Sequence, residues 1–149
     1  ACVSTGPAGK VLGYKERPNE DEITADYIGP PDKKSNIRPI LRHIPDDETN
    51  LQLELRLRRQ EVYLWVDKFW RNHNYRFKTE KDEFILKHKT PEQETVPADK
   101  MSEFYKEFLD KNWKVHVYFN LSWYIKNFEL LILAIQVNLQ SGFRKLRGK

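Results

Sequence analysis

The chain reads as an all-α protein, a small bundle of about four or five helices behind an extended, Pro-rich N-terminal strap. Three observations predict this. After Asp46, apolar residues recur at steps of three and four, the period of one helix face. Strand-like alternation is confined to one short stretch, VHVYF at residues 115–119. Most prolines and glycines lie at or before Pro45, where helical periodicity is absent. The 149 residues fit one domain. Residues 1–25 read as an extended, flexible arm, and 26–149 as a single helical domain that includes the strap.

The arm carries an acidic cluster, Glu16, Glu20, Asp21, Glu22 and Asp26, which reads as solvated. The strap, DYIGPPDKKSNIRPILRHIP, is different. Tyr27, Ile28, Ile37, Ile40, Leu41 and Ile44 give it apolar anchors, and Gly29-Pro30-Pro31-Asp32 make a stiff turn. It is expected to pack along the helices and cover their apolar surface. It also suits a pre-ordered docking loop, with Asp32, Lys33, Arg38 and Arg42 as polar contacts.

A first helix is predicted from Asp46, with Asp46, Asp47 and Glu48 in its first turn and Thr49 or Asn50 as a cap. Leu51, Leu55, Val62, Trp65 and Phe69 form its stripe. The run Arg71-Asn72-His73-Asn74 reads as its end. Thr79-Glu80-Lys81-Asp82 fits a capping box and predicts a second helix to about Lys89. A polar, mobile loop follows Thr90-Pro91. A third helix starts near Pro97-Ala98-Asp99, with Met101, Phe104, Tyr105, Phe108 and Leu109 as its stripe. A break is expected near Lys111-Asn112 or Asn120, before the terminal helix.

That last helix is strongly apolar. Leu121, Tyr124, Ile125, Phe128, Leu131, Ile132, Ile135 and Leu139 make one stripe, while Leu130, Leu133, Ala134 and Val137 fall off it. Such a helix needs cover on two sides. One reading is an ordinary core helix. The sharper reading places one face in the bundle and the other on a membrane protein or a bilayer surface. Lys126, Asn127 and Glu129 on one side, and Gln136, Asn138 and Gln140 on the other, leave too short an apolar run for a simple span. Arg144, Lys145, Arg147 and Lys149 then form a basic tail, suited to a helix C-terminus and equally to anionic lipid.

Charged residues make up 32% of the chain and aromatics 13%, an aromatic content that argues against wholesale disorder. A net charge of +4 is compatible with anionic partners but does not establish nucleic-acid binding. The lone Cys2 cannot form an internal disulfide. His43, His73, His88 and His116 show no helical metal-ligand spacing, and HExxH, CxxC, nucleophile-elbow and Gly-rich phosphate motifs are absent. No catalytic, cofactor or metal residue is therefore expected, and an enzyme is not. Basic residues mixed with Trp65, Trp70, Tyr75, Trp113, Tyr118 and Trp123 could stack on RNA. Most of these rings sit on helical apolar stripes, so core packing explains them as well.

Residues 28–39, IGPPDKKSNIRP, resemble the signature of the cytochrome c oxidase assembly factor 8 family, also called mitochondrial apoptogenic protein. Arg59-Gln60-Glu61, Trp65, Phe69-Trp70, Asn72, the run Glu80 to Ile85, FYKEFL at residues 104–109, Lys111-Asn112, His116, Tyr118, Asn120, Trp123-Tyr124 and Asn127-Phe128 follow in the family's order. The likeness runs from Asp26 to the last helix. Two stretches depart from it: the loop from Thr90 to Lys100 is shorter, and residues 1–25 carry no family motif.

The resemblance implies a mitochondrial protein, imported with a cleaved presequence, peripheral to the inner membrane on its matrix side. It implies a non-enzymatic role in making or protecting cytochrome c oxidase, with oxidase subunits or assembly intermediates as partners, or residence as an accessory subunit. It also implies a secondary link to cell death. It supplies no cofactor and no small-molecule substrate. The residues expected to meet the partner are Ile28, Gly29, Pro30, Pro31, Asp32, Lys33, Asn36 and Arg38 in the strap. In the last helix they are Trp123, Tyr124, Phe128, Ile132, Leu133, Arg144 and Lys145. The alternative is a basic protein of the mitochondrial ribosome or its RNA. A heme- or copper-handling protein using His116 or His43 is a third class.

Overall fold

A computed structural model of the chain describes residues 23–89 and 95–147. Almost all of the expected arm, residues 1–22, and the core of the expected loop, residues 90–94, lie outside the described residues. The element order is β1 (Tyr27–Ile28), β2 (Ile40–Leu41), α1 (Asn50–His88) and α2 (Ala98–Arg147). The protein is mostly helical, as expected. The expected count of four or five helices is corrected: among the described residues there are two, of 39 and 50 residues. At 1.5 Å per residue they run for about 58 and about 75 Å.

The helices pack antiparallel along their length. Thr49 at the start of α1 meets Gln140 near the end of α2, and Arg58 meets Glu129. Near the connection, Phe84 lies 5.2 Å from Phe104, centroid to centroid. The buried core is the seam between them: Leu55 and Val62 from α1, and Phe104, Phe108, Phe119 and Val137 from α2. Its centre is aromatic. Phe119 stacks on Phe69 at 3.9 Å and on Trp65 at 4.8 Å, and Phe77 meets Phe108 edge-on at 5.1 Å.

The two expected breaks, one at 71–74 and one at 111–112 or 120, are absent for one physical reason. Asparagine costs at most ~0.7 kcal/mol in a helix interior relative to alanine. Burying a large apolar side chain gives back about 1.5–3 kcal/mol. The seam therefore carries the helix through each polar run. At 71–74, Arg71 pairs with Asp67 one turn back at 2.6 Å, His73 is buried in the seam, and Asn74 bonds outside the helix. Asn112 is buried and donates to the Phe108 carbonyl at 2.8 Å, inside its own helix. The stretch at Asn120 and the strand-like VHVYF are helical too, because His116 and Phe119 turn to α1 while Val115 and Val117 stay partly exposed. The Thr79 sequence is likewise not a helix start and lies inside α1.

The helix starts are as the caps dictate. α1 begins at Asn50 rather than Asp46. Thr49 Oγ1 accepts from the Gln52 amide at 3.2 Å and Gln52 Oε1 accepts from the Thr49 amide at 2.8 Å, a complete capping box. The three acids at 46–48 precede the helix instead of occupying its first turn. α2 begins at Ala98, directly after Pro97, where expected.

Candidate functional site

Two surfaces stand out, and they lie on different elements. The first is the strap. Tyr27 pairs with Leu41 and Ile28 with Ile40 in an antiparallel hairpin. Gly29 and Pro39 continue the ladder, with the Gly29 amide donating to the Pro39 carbonyl at 2.8 Å. A Cβ on Gly29 would lie 2.8 Å from the Pro39 ring, so this close approach requires glycine.

The turn is organised by Asp32. Its Oδ1 accepts from the Lys34 and Ser35 amides at 2.8 and 3.0 Å, and Ser35 Oγ accepts from the Ile37 amide at 3.2 Å. Asn36 closes the turn with φ of 61°, a left-handed conformation that asparagine tolerates. The amides of Ser35 and Lys34, with Arg71 adding to them, hold the Asp32 carboxyl down at about 2.

The turn is docked on the middle of α1. Arg71 Nη2 lies 3.0 Å from Asp32 Oδ2, and Asn74 Nδ2 donates to the Lys34 carbonyl at 2.8 Å. Ser35 is fully buried there. At the other end, Asp26 accepts from Arg42 at 2.5 Å and from the His43 amide at 3.0 Å. Burial raises the Asp26 pKa, but these two donors outweigh it and hold the carboxyl below its usual value. β2 lies beside Arg56, Leu57 and Gln60. The strap thus packs along α1, as expected. Ile28, Pro30, Pro31, Lys33 and Arg38 remain exposed, while Gly29 is buried and Asp32 is half-buried.

The second surface is the outward side of α2. Trp113, Val117, Leu121, Tyr124, Phe128, Leu131, Ile135 and Leu139 step by three and four along it, each between 49% and 66% exposed. Ile125, Ile132, Phe143 and Leu146 widen it. It lies opposite the seam-facing row of Phe104, Phe108, Phe119 and Val137. Between Lys114 and Arg144 the helix has only two charges, Lys126 and Glu129. Both turn toward α1: Lys126 Nζ sits 5.4 Å over the Trp65 ring, and Glu129 accepts from Arg58 at 2.6 Å. The outward stripe is thus uncharged for about 45 Å. A continuous apolar patch of this length is more than scattered single apolar residues leave on a surface. No helix among the described residues is long and apolar enough to cross a membrane.

Of the residues expected in the last helix, Tyr124, Phe128 and Ile132 lie in this stripe. Trp123 is at its edge, 38% exposed, with its ring against Tyr124. Leu133 is half-buried and lines a shallow groove with Arg58 and Glu129, toward the seam. Arg144 pairs with Asp47 at 3.4 Å, and Lys145 is exposed. The structure does not bring the strap residues and the α2 residues into one site. Sequence reasoning missed Arg71 and Asn74 as the strap's anchors. It also missed that the stripe reaches back to Trp113. The uninterrupted three-four spacing from Trp113 was the available signal.

No group of three or more histidine, cysteine, aspartate or glutamate side chains gathers among the described residues.

A family model for cytochrome c oxidase assembly factor 8 matches residues 25–143. The chain is 52% identical over 130 residues to a mitochondrial protein of that family from Drosophila melanogaster, covering 87% of this chain and 74% of that one. It is 41% identical over 134 residues to cytochrome c oxidase assembly factor 8 of Homo sapiens, covering 83% of this chain and 65% of that one. It is 36% identical over 124 residues to a mitochondrial family protein of Caenorhabditis elegans, covering 82% and 87%. No solved structure matches the chain.

Proposed function

The chain belongs to the cytochrome c oxidase assembly factor 8 family, and from that premise we propose that it is a non-enzymatic factor for assembling or protecting mitochondrial cytochrome c oxidase. It acts as a peripheral protein on the matrix side of the inner membrane. Its partner is a membrane-embedded subunit of the immature oxidase.

The observation that carries this reading is the uncharged outward stripe of α2. A helix apolar on two opposite sides, with one side already packed on α1, has its second side free for an apolar partner. The stripe lies against the membrane-embedded subunit. Lys145 and Arg147 at its end suit anionic headgroups. The strap supplies the polar and specific part of the contact. Ile28, Pro30, Pro31 and Lys33 project from a turn that Asp32 and Arg71 hold in shape, so little ordering entropy is lost on docking.

Mitochondria lacking the protein provide the test, resolved on a native gel with mitochondrial translation pulse-labelled in parallel. Selective loss of cytochrome c oxidase with normal translation is the expected result. A general fall in labelled products would replace this reading with ribosome or RNA binding. Unchanged oxidase and unchanged translation would overturn both.

A further inference from the structure

The outward stripe of α2 is symmetric about its own middle. Val117, Leu121, Tyr124, Phe128, Leu131 and Ile135 alternate steps of four and three, the heptad repeat of a coiled-coil seam. Read from either end, the row runs β-branched, leucine, aromatic, aromatic, leucine, β-branched. All six side chains are 49–66% exposed. A two-fold axis level with residue 126 therefore makes the row its own complement. Two copies laid antiparallel across that axis would pair Tyr124 with Phe128, Leu121 with Leu131 and Val117 with Ile135, so that each layer holds side chains of one kind.

The charges at its ends fit the same arrangement. Glu107 lies ten residues before the row and Lys145 ten residues after it, and both are exposed. Antiparallel pairing sets Glu107 against Lys145 of the second copy at each end. Lys106 and Lys114, the bases nearest Glu107 on this side, fall opposite the uncharged Leu146 and Asn138. Parallel pairing would instead set every end charge on its own copy, which repels. In the middle there is no like charge to oppose contact, because Lys126 and Glu129 turn toward α1. Trp113, Ile125, Ile132 and Leu139 flank the row and are 46–58% exposed. Ten half-exposed side chains at roughly 80 Å² each reach the ~800 Å² per partner of a standard stable interface.

We propose that α2 pairs antiparallel with α2 of a second copy, about a two-fold axis level with residue 126, and that this dimer is the form the protein takes before it meets the oxidase. The second copy covers the stripe, and the oxidase subunit displaces it. This rests on the reading of the stripe as a docking surface. The two fail separately, because a monomer that still supports oxidase assembly would remove the pairing alone.

The test is analytical ultracentrifugation of the purified full chain across the micromolar range, where the mass of two chains is expected. Phe128→Glu brings two carboxylates to the centre of the pairing and should give a monomer, with helix content by circular dichroism unchanged. Glu107→Lys and Lys145→Glu should each weaken the dimer about tenfold, and the double swap should restore it. The two positions lie about 57 Å apart along one helix, so recovery can arise only between copies. A monomer at every concentration, a dimer indifferent to Phe128→Glu, or a double swap no better than the single ones would each overturn the proposal. In the first case, flotation of the monomer with anionic phospholipid vesicles would assign the stripe to lipid instead.

Discussion

The two faces of α2 have much the same chemistry and opposite fates. Toward α1, Phe104, Phe108 and Phe119 are 4–8% exposed. On the far side, Tyr124, Phe128 and Leu131 are 54–66% exposed. Both rows repeat at three and four, and the two charges between Lys114 and Arg144, Lys126 and Glu129, turn toward α1. What separates them is α1, which supplies a facing row of Leu55, Val62, Trp65 and Phe69 to one side only. Hydrophobic spacing states that a face will be covered. It does not state by what. The seam has its cover in the chain itself, and the outward face is left exposed among the described residues.

The largest expected effect comes from truncating matched rings on the two faces. Phe108→Ala should destabilise the fold by about 3–5 kcal/mol, because the ring is removed from a packed seam. Phe128→Ala should change stability by no more than ~0.5 kcal/mol. Denaturant unfolding of both variants checks this, and equal losses would mean that the outward face is also packed within the folded chain.

A smaller effect is expected in the strap. Gly29→Ala would force a methyl to within 2.8 Å of the Pro39 ring and should cost about 1–3 kcal/mol of strap docking. Amide exchange at Asp32 and Ile37 reports it, with α1 and α2 unaffected. Thr49→Ala removes half of the capping box and should cost about 1 kcal/mol, read as a lower melting temperature. Arg58→Ala breaks the exposed bridges to Glu129 and Glu61 and should lower the melting temperature least of the set.

The pH dependences differ in sign of cause but not of direction. Asp32 has a lowered folded pKa, so its contribution is complete above its unfolded value near 3.9 and is lost as pH falls through about 2. Amide exchange of the strap should therefore accelerate only in that acid window. His73 also has a lowered folded pKa, owing first to burial and then to His116 and Arg76. The unfolded chain then binds more protons, so this contribution to stability is complete above pH ~6.5 and declines as pH falls below it. The same pH series on His73→Phe should lose that decline.

Much of this was legible in the residues. The all-α class, the strap, the start near Ala98 and the two-sided nature of the last helix follow from spacing and proline placement, while Thr49 was one of two caps the residues offered for a helix expected from Asp46. The number of helices was not. Asn72, Asn74, Asn112 and Asn120 read as helix ends because asparagine favours turns, and local propensity cannot know that a tertiary seam outweighs it. The strap's anchors were hidden for a related reason. Arg71 and Asn74 are ordinary solvated residues until a turn some forty residues away is laid across them. The edge-to-face contact of His73 with His116 in the seam was invisible too, because the two rings come from separate helices and only the antiparallel register brings them together.

The measurement that tests the account most directly is complementation of mitochondria lacking the protein, with oxidase resolved on a native gel. The wild-type chain is compared with one carrying Phe128→Glu, Ile132→Lys and Ile135→Lys, which charge the outward stripe and leave the seam intact. The variant is expected to fold and accumulate in mitochondria but to fail to restore cytochrome c oxidase. Full restoration by that variant would contradict it.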